Sequence, residues 1–233
     1  MEVILYILMA VCLIFGFIKA RAGSKGNTDF ELIAKTCGAL TFICIAILAF
    51  YLSNPADDKR SYGLAIIVAL VLGMIGDIFL CIDNDAHPER KKLITSVGVL
   101  FFFLGHILYM VTFLSLEKLN LYLLPAILVL PLVYLILAKT VLTSSILQNI
   151  LLMIYYLALN VILVSVINLV IIYGATAYTM ILLFASLLFI SSDTVLGLSW
   201  FAPTIKLPKN NDYYIILSYF AAQCLFGLSI FFI

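Results

Sequence analysis

The chain has 233 residues, 65% of them hydrophobic and 11% charged, with mean hydropathy +1.23 and net charge +1. A soluble domain carries about 25% charged residues, so the composition excludes a soluble globular protein and leaves no room for a separate soluble domain. The near-neutral balance also excludes a nucleic-acid partner recruited by basic patches.

The first apolar run, 3–19, begins after Met1-Glu2 and lacks the positive n-region of a signal peptide. Ala20-Arg21-Ala22 is therefore not read as a cleavage site, and the run is expected to be a retained span. Further apolar runs of membrane-spanning length follow near 32–52, 62–82, 93–115, 120–138, 146–172, 177–200 and 213–233. The breaks between them are polar or Pro-bearing, and the one around Tyr173-Gly174-Ala175 is the least marked. The expected fold is all-α: one polytopic membrane domain over 1–233 with eight transmembrane helices. Five cysteines (Cys12, Cys37, Cys44, Cys81 and Cys224) stand singly in or beside these runs. They have neither CxxC pairing nor metal-ligand spacing, and are expected to pack as small apolar residues.

Basic residues orient the spans. Loops after odd-numbered spans carry Lys19, Arg21, Lys25, Arg90, Lys91, Lys92, Lys139, Lys206 and Lys209; the opposite side carries only Lys59, Arg60 and Lys118. The positive-inside rule then puts the odd-span loops in the cytoplasm of a cell (inner) membrane protein and both termini outside. On this orientation Asp77 lies about 7–8 Å, and Asp193 about 10 Å, inside the cytoplasmic ends of spans 3 and 7. Lys35 and Tyr155 lie in the same half of the membrane, with His106 near the midplane and Gln223 deeper than Tyr219.

Asp77 and Asp193 dominate the functional reading. A carboxylate in hydrocarbon costs at least ~2.5–3.5 kcal/mol, so such residues face a polar cavity or a partner. The structural alternative is an Asp paired with a buried lysine, and Lys35 is the obvious candidate. Small neighbours (Gly73, Gly76, Ser191, Ser192) allow close approach of backbone or ligand. Two carboxyls sharing a cavity can divide the work of acid and base. His106, with Gly105 before it and Tyr109 at i+3, fits a headgroup contact, a proton relay or a buried structural histidine. Zinc is not expected, because the only other histidine, His87, lies in a loop. No serine-hydrolase, zincin or nucleotide motif occurs in a suitable context. Gly76-Asp77 and Ser192-Asp193 share a small-Asp-x-x-Leu pattern in spans running the same way. His106 follows the first Asp by 29 residues and Gln223 the second by 30. Two four-helix halves around an intramembrane polar cavity would explain this spacing.

GMIGDIFL (73–80), FFFLGHILY (101–109), FISSDTVLGLSWF (189–201) and YFAAQ (219–223) together resemble the YhhN-like lysoplasmalogenase family over the full length. Lys35-Thr36-Cys37 departs from the resemblance, in which a proline closely follows the lysine. The resemblance implies an integral membrane hydrolase that cleaves the vinyl-ether bond of lysoplasmalogens, giving a fatty aldehyde and glycerophospho-ethanolamine or -choline. It implicates Asp77, Asp193 and His106 in catalysis. Lys35, Tyr109, Tyr155, Tyr219, Gln223 and Ser192 are implied as substrate-binding residues, with no metal or organic cofactor. The expected partners are a lysophospholipid substrate and membrane lipids, and Gly- and Ala-rich faces leave a homodimer open. The alternatives are a small proton-coupled transporter using the same carboxylates, or a hydrolase of another lysolipid bond.

Overall fold

The computed structural model describes residues 2–54, 56–82, 88–140, 146–202 and 204–233. The loop residues 83–87, with His87, and most of the expected break at 139–145 lie outside the described residues. Among those described, every regular element is helical: α1 (Glu2–Gly23), α2 (Thr28–Ser53), α3 (Asp57–Cys81), α4 (Pro88–Leu116), a 3₁₀ stretch (Leu121–Leu128), α5 (Val129–Thr140), α6 (Ile146–Tyr173), α7 (Ala177–Phe201) and α8 (Asn211–Phe232). All but the 3₁₀ stretch and α5 are long and apolar enough to cross a membrane. That supports a multi-pass membrane protein, as the composition leads one to expect.

The weakly marked break at 173–175 is a true helix boundary with its own chemistry. Gly174 takes a left-handed φ of +73°, a conformation that glycine adopts without steric penalty. Thr176 then starts α7 through a capping box. Its hydroxyl accepts from Thr179 N at 3.2 Å, and the Thr179 hydroxyl accepts from Thr176 N at 3.0 Å. At the other end of the chain, Asn27 caps α2 by accepting from Phe30 N at 3.1 Å.

The fifth expected span, 120–138, is where the fold departs from a continuous transmembrane helix. It divides at residue 128 into the 3₁₀ stretch and the 12-residue α5. Two prolines explain the irregularity. Pro125 and Pro131 have no N–H, so the carbonyls of Leu121 and Ile127 lose their α-helical partners. Buried Asn160 on α6 repairs the second loss: its Nδ2 donates to the carbonyls of Ala126 and Ile127, both at 2.7 Å. The Tyr134 hydroxyl adds a second tie from α5 to α6 by donating to Asn149 Oδ1 at 2.7 Å. Among the described residues α5 packs only on α6 and on the 3₁₀ stretch before it.

Helix α8 is the hub of the bundle, packing against α7, α2, α1 and α3. α3 packs on α2 and α4, and α6 on α4 and α7. Lipid tails are as apolar as leucine, so the hydrophobic effect cannot drive this association. Close packing at small residues does so instead. Gly38 on α2 is such a residue, since a β-carbon there would run into the Phe220 ring of α8. The Phe42 ring meets Phe220 edge-on at 5.9 Å and Tyr219 at 6.3 Å.

Replacing Asn160 by Leu removes the donor to the Ile127 carbonyl at similar side-chain volume, while the Ala126 carbonyl keeps its bond from Val129 N. The expected loss is about 1–2 kcal/mol of stability, read as a lower midpoint in SDS-titration unfolding of the detergent-solubilised protein. An unchanged midpoint would mean that the 3₁₀–α5 junction does not depend on Asn160.

Candidate functional site

Two polar clusters lie inside the bundle. The first is built on Asp77 of α3, which is 1% exposed. Lys35 of α2 places Nζ 2.9 Å from Asp77 Oδ1, and the Tyr219 hydroxyl of α8 donates to Oδ2 at 2.8 Å. Behind Tyr219 the donors continue in one direction. Gln223 Nε2 donates to the Tyr219 hydroxyl at 3.0 Å, and the Tyr109 hydroxyl of α4 donates to Gln223 Oε1 at 3.0 Å. Every proton in this chain points toward Asp77, the arrangement an ionised, acceptor-only carboxylate requires. Gly73, one turn before Asp77, makes the approach possible: a β-carbon there would stand 2.9 Å from Gln223 Nε2 and 3.3 Å from the Tyr219 oxygen. Lys35 keeps 12% of its side chain exposed. One turn before it on α2, Glu31 pairs with Lys19 of α1 at 2.8 Å.

The second cluster is built on Asp193 of α7, with His106 of α4 and Tyr155 of α6. The Tyr155 hydroxyl donates to Asp193 Oδ2, and His106 Nε2 lies 3.7 Å from the same oxygen and 3.5 Å from the Tyr155 hydroxyl. His106 Nδ1 is 2.5 Å from the Phe102 carbonyl. A carbonyl can only accept, so Nδ1 carries a proton and Nε2 is the nitrogen turned toward Asp193. The single Tyr155 proton is already directed at Oδ2. Two lone pairs facing each other between Nε2 and Oδ2 would repel, so the favourable states hold one proton on this pair, on the imidazole or on the carboxyl. Among the described residues no lysine or arginine side chain joins this cluster.

Phe189 of α7 joins the two clusters through its ring, 4.9 Å from His106 and 5.7 Å from Tyr219. The sequence-based candidates thus divide: Asp77, Lys35, Tyr219, Gln223 and Tyr109 in one network, Asp193, His106 and Tyr155 in the other. Ser192 belongs to neither. Its hydroxyl donates to the Ile215 carbonyl at 2.8 Å and ties α7 to α8. Phe189 and the Phe102 carbonyl were not singled out from the sequence, although each stands four residues before a candidate (Asp193 and His106) and so on the same helix face. Among the described residues no three His, Cys, Asp or Glu side chains converge in a set able to hold a metal ion.

Two hollows flank the clusters. A groove of about 660 Å³ runs between α1, α7 and α8. A smaller cleft of about 90 Å³ lies between α5, α6 and α7 and includes Tyr156 and Thr194, the chain neighbours of Tyr155 and Asp193. Neither aspartate lines either hollow.

The architecture is thus a bundle of membrane-length apolar helices with ionisable groups buried inside. Residues 30–230 match the family model of the YhhN family, and the chain belongs to that family. No curated protein and no solved structure matches the chain.

Removing one member of a buried ion pair strands the other charge, at a cost of about 3–5 kcal/mol. Lys35→Met is therefore expected to be strongly destabilising, and Lys35→Met combined with Asp77→Asn much less so. Unfolding midpoints of the two singles and the double form the test. A double variant no more stable than Lys35→Met would show that the pair is not what holds α2 against α3.

Proposed function

We propose that this protein is a membrane hydrolase that cleaves the vinyl-ether bond of lysoplasmalogens, releasing a fatty aldehyde and a glycerophospho-alcohol. Membership of the YhhN family is compatible with a hydrolase, and the resemblance of the motifs around both aspartates carries the expectation of substrate. The structural observation that supports the chemistry is the His106–Tyr155–Asp193 triangle, a part-buried set of titratable groups that can share a proton.

The reaction begins with transfer of that proton to the second carbon of the alkenyl chain. The alkene π pair forms the new C–H bond, and an oxocarbenium ion is left at the first carbon. Water adds there and returns a proton to the Asp193–His106 pair. The resulting hemiacetal breaks its bond to the glycerol oxygen, which takes up a proton as the carbonyl of the aldehyde forms. Water is consumed, no redox change occurs, and the acid is regenerated. A carboxyl pair serving an oxocarbenium-like transition state follows the logic of glycoside hydrolysis.

The two aspartates take different parts in this scheme. Asp193, with a proton within reach and no lysine or arginine partner, is the acid and then the base. Asp77, with Lys35 and Tyr219 both donating to it, is the fixed negative charge that favours a developing cation nearby. Lys35 keeps some exposure and is the group suited to a lipid phosphate. The basic-residue count supports an orientation with the loops after odd-numbered spans in the cytoplasm, so that the lysolipid would be drawn from the inner leaflet.

The helix pairings also support two four-helix halves. α3 packs on α4 as α7 packs on α8, and α2 packs on α8 as α6 packs on α4. Each aspartate is then met by the preceding helix of its own half (Lys35 on α2, Tyr155 on α6) and by the last helix of the other (Tyr219 on α8, His106 on α4).

Asp193→Asn keeps the shape and removes the transferable proton, and turnover is expected to fall at least ~10²-fold, the range for losing a general acid or base. Asp77→Asn is expected to reduce turnover by a similar factor. The assay is release of free fatty aldehyde from lysoplasmenyl-ethanolamine by purified protein, detected by mass spectrometry. If the wild-type protein is folded but releases no aldehyde, the vinyl-ether assignment is lost. Release undiminished in both variants would overturn the mechanism.

A further inference from the structure

We infer that the cleft between α5 and α7, floored by α6, holds the aliphatic chain of the lipid, an inference resting on the hydrolase reading above. The cleft is lined by Leu130 and Val133 from α5, Tyr156 from α6, and Thr194, Gly197 and Leu198 from α7, among others. It is apolar along most of its length. Asp193 does not line it, but Gly197, which does, stands one turn after Asp193 on the same face of α7. Tyr156 of the cleft meets the ring of Tyr155, the Asp193 partner, edge-on at 6.2 Å. A chain lying here ends beside the Asp193 cluster.

Three features select a lipid chain as the occupant. The first is the outward side of the cleft. Among the described residues α5 packs against α6 but not against α7, and Val133, which lines the cleft, is exposed on an apolar surface. In a membrane that surface meets hydrocarbon and not water, so what can move into the gap is an acyl or alkyl chain. The second is size: the hollow measures about 90 Å³, room for a short segment of one aliphatic chain. The third is Gly197. A β-carbon there would stand 3.0 Å from the Tyr156 hydroxyl, so a side chain at 197 narrows the cleft from the α7 wall.

The larger groove between α1, α7 and α8 is the competing location. Its nearest α7 residue, Leu188, is more than a helical turn from Asp193. The Ser218 hydroxyl in that groove is turned back to the Tyr214 carbonyl of its own helix at 2.6 Å. A chain there would not deliver a vinyl ether to the Asp193 cluster.

The test uses the full-length protein in detergent with a saturated alkyl-ether lysophosphoethanolamine that carries a diazirine in its chain. The saturated ether has no double bond to protonate and stays intact. After photolysis, adducts mapped by mass spectrometry are expected in peptides covering 129–140 and 194–201, and excess unlabelled lysolipid should suppress them. Gly197→Leu, and independently Val133→Trp from the α5 wall, should each lower this labelling at least tenfold. In turnover, both should lower the ratio of hexadecenyl to hexenyl lysoplasmalogen cleavage by at least tenfold. Aldehyde release with adducts confined to the α1–α7–α8 groove, or with labelling unchanged in both variants, would overturn the chain site while leaving the hydrolase reading in place. Competed labelling in the cleft without any aldehyde release would keep the chain site and overturn the hydrolase reading instead.

Discussion

The burial of the Asp77 carboxylate governs much of the bundle. Hydrocarbon offers no donor, so every hydrogen bond this group needs must come from another helix. Lys35 supplies one from α2 and Tyr219 another from α8. Tyr219 and Gln223 are one turn apart on α8, and satisfying both forces that face of α8 toward α3 and α4. The neighbouring residue Phe220 then points toward α1 and α2, where Gly16 and Gly38 leave space for its ring. The central position of α8 follows from these requirements: its polar stripe serves Asp77 and its aromatic stripe fills the opposite side.

The second aspartate is handled by a different device. Asp193 accepts a hydrogen bond from Tyr155 and faces a histidine nitrogen, and among the described residues no lysine or arginine joins its network. Lys35 settles the charge state of the first cluster, because an ammonium and a phenol both donate to the same carboxylate. In the proposed mechanism the second cluster holds the proton that is given and recovered. The difference between the two clusters is one of partners and not of the aspartates themselves, whose local sequences are alike. The Phe189 ring lies between the two networks and touches both.

Much of this was legible in the sequence, for identifiable reasons. Apolar runs bounded by charges mark seven of the long helices because length and hydropathy are one-dimensional properties. Asp77, Asp193 and His106 stand out because ionisable residues are costly in such runs, and Lys35 was already the natural partner for an aspartate. The fifth expected span is an apolar helix over Leu121–Leu137, but its change from 3₁₀ to α at residue 128 is not visible in hydropathy, because it comes from Pro125 and Pro131 acting with a distant Asn160. Ser192 was placed beside the site because it neighbours Asp193. On a helix, however, the next residue is turned by about 100°, and its hydroxyl serves α8 instead. Which residues share a network depends on how helices cross, and spacing along the chain does not encode that.

The two-half arrangement we propose bears on how the halves would be held together. His106 and Gln223 occupy corresponding places, 29 and 30 residues after their respective aspartates. Yet His106 reaches Asp193, and Gln223 reaches Asp77 through Tyr219. Each half thus lends its last helix to the aspartate of the other. Neither half could satisfy its own carboxylate alone, so the exchange of polar contacts couples them more specifically than apolar packing in lipid could. α5 is the exception. Its counterpart α1 packs on both α2 and α8, whereas among the described residues α5 packs only on α6 and on the 3₁₀ stretch before it. In the proposed mechanism the half that carries the transferable proton is therefore also the half with a less enclosed wall, the asymmetry that lateral entry of a lipid from the bilayer would require.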